Sequence, residues 1–406
     1  MEEERNREIR GLAPGEGLAV DADEFEASFG ESLARALDLG TWTPGEDLTD
    51  LSDRLKHEIE EAVHQEDAIR ARVREVVFER LATRTGAPKH AGAHQMSPEW
   101  VERIQRGLLF NGGVEACDGT SAVSDRLPLT ITQLGVCLVS YHGDQGSWMH
   151  RLYRRDLRVR GLDPVEEALE LLERRRRRGG FEEPSQRDRL SELARRGIMT
   201  YAERAALLHR SDALWRMGHG NPTPYELLTG SGMAELVRSS LGLLRELVLE
   251  HQRFVFVPSA PANRMFVTIG DALRPLEYAV VDTAEAPLRR LLETGGYRGE
   301  WRALIPDLER FVDEVGSQIV VGVYRASSIA PAHLFYAHAE HVHTAAHVVI
   351  ADSVLQEHKG FPMLIDLADT VCRATFGGDS LGALTELAYV EAGAPFRYVP
   401  ERRQRS

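Results

Sequence analysis

The segment of this chain best suited to chemistry is Ala116-Cys117-Asp118-Gly119-Thr120. A short, mostly apolar run, Val114–Cys117, ends on an acid, and a glycine follows. A strand would fix the backbone behind the acid, and glycine would let the chain leave sharply. A carboxylate presented in this way is a hard oxygen donor suited to Mg²⁺ or Mn²⁺. Asp-Gly is equally a common turn pair, so the pair by itself leaves both readings open.

Other residues could carry chemistry. Arg174, Arg175, Arg176, Arg177 and Arg178 form a basic run. It reads either as a DNA-contacting patch or as a solvated helix end favoured by the helix dipole. Glu166, Glu167, Glu170 and Glu173 precede it and partly cancel its field. His333, His338, His341, His343, His347 and His358 make a histidine-rich stretch. Their spacing fits no HExxH motif, which favours surface or interface histidines over a metal site. The three cysteines, Cys117, Cys137 and Cys372, form no CxxC pair. That argues against a zinc site or a disulfide scaffold and fits a reducing compartment. No GxxxxGK[ST] loop is present, so any ATP-driven step belongs to a partner. GxSxG is absent too.

These residues need elements to hold them. Phe25, Phe29, Leu33 and Leu37 recur at steps of four, and Leu48, Leu51, Leu55, Ile59 and Val63 continue a helical period. After the Gly/Pro break at 83–88, Pro98–Leu109 reads as a short helix. Leu129–Tyr141 is a long β-rich run antiparallel to the strand that carries Asp118. Residues 163–215 read as helical. A strand at Ala213–Met217, a helix from Gly232 to Glu250 and a buried strand at Phe254–Val257 follow. Further strands fall at Tyr278–Val281, Ile319–Tyr324 and Leu334–Tyr336, and Phe361–Tyr389 is mostly helical. His338–Leu355 is ambiguous. Alternating strands and helices of this kind predict an α/β fold, a mixed sheet flanked by helices. The organisation expected is a flexible arm over 1–20, a helical appendage over 21–97, a catalytic domain over 98–397 and a basic tail over 398–406.

The chain has 406 residues, enough for two or three domains, and a net charge of -14. A general DNA-coating protein would more often be basic. The charged N-terminus lacks the apolar core of a secretory signal. No run approaches the ~20 apolar residues of a membrane span, so a cytoplasmic location with no membrane contact is expected.

The order of these segments resembles the NurA nuclease family. In that family a strand ends in Asp-Gly-Ser or Asp-Gly-Thr before a long β strand, as at Val114–Tyr141. The resemblance runs over residues 112–397 and implies an RNase H-like core, Mn²⁺ or Mg²⁺ as cofactor and DNA as substrate. It also implies a homodimer working with a HerA-like hexameric ATPase in DNA repair or defence against foreign DNA. The family's helical Glu falls on Glu203, with Glu192 as a rival on the same helical stretch. Its second strand-end Asp falls on His219, in Gly218-His219-Gly220-Asn221-Pro222. His219 is either a neutral metal ligand or a turn residue between two glycines. The family's C-terminal His falls on Asp369, one turn beyond Asp366, so both carboxylates share a helix face. Asp118, Glu203, His219 and Asp369 are thus the expected catalytic and metal-binding set. Asp369 would supply the charge that His219 lacks. The departures at His219 and Asp369 raise two alternatives: a weakened NurA-like adaptor or clamp, or an RNase H-like nuclease acting on RNA.

Overall fold

A computed structural model describes residues 22–42, 48–126, 129–154, 189–259, 264–294, 297 and 299–394, and positions 165, 166, 169 and 172. The arginine run Arg174–Arg178, the arm over 1–20 and the tail over 398–406 lie outside the described residues. The chain divides into two compact units, Met1–Arg72 and Val73–Ser406. Among the described residues no helix is long and apolar enough to cross a membrane.

The first unit is helical. Helix α1 (Ala22–Phe29) sets the tilted rings of Phe25 and Phe29 at 4.6 Å between centroids, as their four-residue spacing allows. Helix α2 covers Leu48–Val73 and carries the predicted apolar period.

The second unit is built on one sheet of nine strands among the described residues. They are β1 (Gly92–Gln95), β2 (Val114–Arg126), β3 (Leu129–Ser140), β4 (Gly143–Arg154), β5 (Trp215–His219), β6 (Phe254–Val257), β7 (Glu277–Thr283), β8 (Ile319–Arg325) and β9 (His333–His338). Their order is β1-β7-β8-β9-β6-β5-β2-β3-β4. β2, β3 and β4 form an antiparallel meander, and β5 and β6 run parallel to β2 on its other side. The order β4-β3-β2-β5-β6 is the RNase H-like arrangement that the sequence leads one to expect. β9, β8, β7 and β1 extend it with antiparallel pairings.

Helices cover both faces. They include α3 (Pro98–Ile104), α4 (Arg189–His209), α5 (Ala234–Arg245), α6 (Glu285–Thr294), α7 (Ile305–Val315), α8 (Val342–Ser353), α9 (Met363–Phe376) and α10 (Gly378–Glu391). Side chains alternate across a strand, so Val114 and Ala116 of β2 join Trp215 and Met217 of β5 in the core under α8 and α9. Cys117 and Leu138 face the opposite way, with Phe254 and Phe256, into the core under α4, α5 and α7.

Three differences from the sequence reading bear on the site. Asp118-Gly119-Thr120 is not a turn, because β2 runs unbroken from Val114 to Arg126 and pairs with β3 from Ala116 onward. β4 has no counterpart in the reading. It is a half-exposed edge strand. β1 lies within 21–97, read as helical, yet it pairs with β7. The ambiguous stretch after His338 is settled as α8, a helix buried on nearly every side.

Candidate active site

Strand β2 is gripped from both faces near Asp118, and two glycines make the grip possible. A Cβ on Gly119 would overlap the Glu203 carboxylate and crowd the Met199 side chain of α4 at 2.9 Å. A Cβ on Gly135, opposite Thr120 on β3, would overlap the Phe376 ring of α9. Gly119 is therefore needed for the close approach of a helix, not for an escape from the strand. The period of two then sorts the acids. Asp118 shares its face with Ala116 and so looks toward α9, whereas Glu203 approaches from the opposite face over Gly119.

Asp118 is buried, and its Oδ1 accepts the Gly119 N–H at 2.9 Å. His219, the last residue of β5, places Nδ1 at 3.7 Å from the same oxygen. That is an ion-pair distance, too long for a hydrogen bond. The other ring nitrogen, Nε2, lies 2.5 Å from Ser259 Oγ. The Asp118 carboxylate holds the His219 pKa above the usual imidazole value, against a smaller opposing effect of burial. Gly218 lets Phe256 pack against the strand, and Gly220, at φ +84°, turns the chain away after the histidine. His219 is thus a turn-flanked residue by backbone and a partner of Asp118 by side chain.

Glu203 lies on the buried side of α4. Burial raises its pKa to about 7, and the negative charge of Asp118 adds to the effect while Arg204 and His219 oppose it. Arg204 Nη1 donates to Glu203 Oε2. Its Nη2 donates to the carbonyls of His219 at 3.2 Å and Asn221 at 2.8 Å. One buried guanidinium thus joins the acid of α4 to the end of β5. The side chain of the rival, Glu192, lies outside the described residues.

Asp369 comes from α9. That helix buries Leu364, Ile365, Ala368 and Cys372 and starts after Pro362, which cannot donate a helical hydrogen bond. Burial raises the Asp369 pKa, and the nearby Asp118 charge raises it further. Arg373, one turn on, pairs with it at 2.7 Å. Asp366 is tied elsewhere, to Lys359 at 2.6 Å and Gln356 at 2.9 Å.

Four side chains from β2, α4, β5 and α9 therefore gather around Asp118. Three residues outside the sequence-derived set help to place them: Arg204, Ser259 and Asp352. Asp352, on α8, is fully buried. Its Oδ2 accepts the Leu364 N–H at 2.9 Å at the start of α9, and its Oδ1 accepts the Tyr141 hydroxyl. Burial pushes its pKa up to about 6. The only sequence signal for Arg204 is its adjacency to Glu203. Nothing local marks Ser259 or Asp352, because their partners are far away in the chain.

In kind, three carboxylates and an imidazole suit Mg²⁺ or Mn²⁺. In position they do not close on an ion: Glu203 is engaged by Arg204 and Asp369 by Arg373. Among the described residues no three His, Cys, Asp or Glu side chains are placed to hold one metal as they stand.

No family model and no curated protein matches the chain. Solved structures similar to it include Ciona intestinalis endonuclease V bound to a DNA 24-mer containing inosine, at 12% identity and TM-score 0.24 over 70% of this chain and 95% of that one. Another is NurA bound to dAMP and manganese, at 11% identity and TM-score 0.33 over 86% and 98% of the two chains. The NurA nuclease from Sulfolobus solfataricus, of the family the sequence resembles, is similar at 9% identity and TM-score 0.46 over 87% of this chain and 99% of that one.

Proposed function

We propose that this chain is a DNA nuclease that uses a divalent cation at Asp118. The observation that carries the reading is the gathering of Asp118, Glu203, His219 and Asp369 from four separate elements of an RNase H-like sheet. Acids that are buried beside one another raise each other's pKa, and a cation relieves that cost. Asp118, His219 and Asp369 would hold it, with Glu203 joining when Arg204 releases the carboxylate. A divalent ion supplies Lewis-acid stabilisation to a phosphodiester undergoing hydrolysis. The protein's own part is to fix the donors. β2 presents Asp118, α9 brings Asp369, and Arg204 locks β5 so that His219 stays beside Asp118. Ser259, on His219 Nε2, would orient the ring so that Nδ1 faces Asp118 and the ion.

The net charge of -14 is ill suited to autonomous grip on DNA. The reading therefore extends to a HerA-like ATPase that feeds DNA to a homodimer, in repair or defence. The test is cleavage of single-stranded DNA, duplex DNA and RNA–DNA hybrid with Mn²⁺, with and without such an ATPase. Cutting by the wild type and none by Asp118→Ala supports the reading, and preference for the hybrid would reassign the substrate. Silence of both under every metal and partner would instead support an adaptor. The contact between Arg204 and Glu203, which occupies one would-be ligand, favours that second reading.

A further inference from the structure

Two members of the histidine-rich stretch meet two histidines from the other end of the second unit. His343 and His347 lie four residues apart on α8 and share a face. His94 sits on the edge strand β1, and His90 just precedes that strand. The His343 ring centroid is 4.6 Å from that of His90 and 4.8 Å from that of His94, both edge-on. Tyr278 of β7 stacks on His94 at 5.2 Å, and its hydroxyl lies 2.7 Å from His343 Nδ1. His347 lies 5.8 Å from the Tyr278 ring and 5.7 Å from Trp100, centroid to centroid. Of the other histidines of the stretch, His333 bonds the Lys359 carbonyl, His338 is buried and accepts the Glu340 N–H, and His341 packs edge-on to Trp215.

We propose that His90, His94, His343 and His347 form a binding site for a borderline transition-metal ion such as Zn²⁺, which staples the edge strand β1 to α8. The site is independent of the nuclease reading. Imidazole nitrogens select Zn²⁺, Ni²⁺, Cu²⁺ and Co²⁺ over Mg²⁺ and Ca²⁺. A Zn–N bond of about 2.0–2.1 Å sets the centroids of two rings on one ion about 5 Å apart, close to the observed spacing. Two of the rings already carry the second partner that orients a metal-bound histidine. Tyr278 Oη holds His343 Nδ1, and the His90 carbonyl holds His94 Nε2 at 2.9 Å. That leaves His343 Nε2 and His94 Nδ1 for an ion.

Burial and the neighbouring rings lower the His343 pKa to about 4, and burial lowers that of His347. Glu340, the acid whose charge reaches His90, is itself paired with Lys89 at 2.7 Å. As they stand, no three of the described donors close on one point. Closure requires the rings to turn, which the exposed His90 has room to do.

The test uses the full chain, stripped with a chelator and titrated with Zn²⁺ by calorimetry. In parallel, Cu²⁺ is added while tryptophan fluorescence is read, with Trp100→Phe to assign the quenching. The titration is run on Asp118→Asn, so that the acidic cluster does not take the ion; one Zn²⁺ per chain is expected there, with affinity reduced at least about tenfold when His343→Gln or His94→Gln is added. If His343→Gln does not fold, as judged by circular dichroism, His94→Gln on the edge strand carries the same expectation. Absence of Zn²⁺ binding in Asp118→Asn, or binding kept undiminished in both histidine variants, overturns the proposal, as does Cu²⁺ that fails to quench Trp100.

Discussion

The same sheet carries two clusters of titratable side chains, and they differ in kind. Around Asp118 the groups are mostly acids, drawn from both faces of β2, and burial pushes Glu203 and Asp369 toward neutrality. Around His343 the groups are imidazoles at the far edge of the sheet, and burial lowers the pKa of His343 and His347. Neutral imidazoles can wait without a cation at little cost. Packed acids cannot, and here Arg204 and Arg373 supply positive charge beside them. The contrast teaches that burial of like groups does not by itself announce a metal. What matters is whether the charged form is needed, and which ion that form would prefer.

The comparison can be broken most forcefully at Asp118. Asp118→Asn is expected to lower Mn²⁺-dependent DNA cleavage on the order of 10²–10³-fold, the usual loss when a principal electrostatic group is removed. Zn²⁺ at the histidine cluster should stay intact, and parallel cleavage and calorimetry would show whether the two regions are separate.

Arg204→Gln probes the internal cation. Breaking a buried ion pair costs up to about 3 kcal/mol, less whatever Glu203 recovers by taking up a proton. Guanidinium-chloride unfolding should show that loss. An unchanged midpoint would mean that Arg204 is not what neutralises Glu203.

Gly119→Ala sharpens the picture of β2 gripped from two sides. The added methyl meets the Glu203 carboxylate, so overpacking of roughly 1–3 kcal/mol is expected. Unfolding measured beside Gly107→Ala, where a Cβ has nothing within 4 Å, tests this directly.

The smallest effect concerns pH. Asp352 has its folded pKa raised to about 6, so its stabilising contribution is fully present below the ordinary carboxylate range and is lost as pH rises through about 6. The melting-temperature difference between wild type and Asp352→Asn should shrink as pH goes from 4 to 7. A difference that grows over that range contradicts the assignment of burial as the dominant cause.

Much of the fold could be read from the chain. The strands at 254–257, 278–281, 319–324 and 334–336 have apolar, β-branched and aromatic residues in runs that specify them locally, and each lies within an observed strand. β4 was not legible, because an edge strand with one face in solvent keeps too many polar residues to stand out. Asp118 was legible as an acid in a β context, but its glycine was misread. Local sequence ties glycine to turns, whereas here the constraint comes from a helix distant in the chain.

Sequence by itself determined many of the helices and core strands and which acids were available, since periodicity and residue chemistry are local properties. Only the tertiary structure decided how they are used. It set Glu203 against Gly119, gave Arg204 to the end of β5, tied Asp366 to Lys359 while leaving Asp369 near Asp118, and brought His90 and His94 to His343. Most of those pairings are fixed by the packing of elements distant in the chain, and a one-residue change of register would send the side chains of the affected strand to the opposite face.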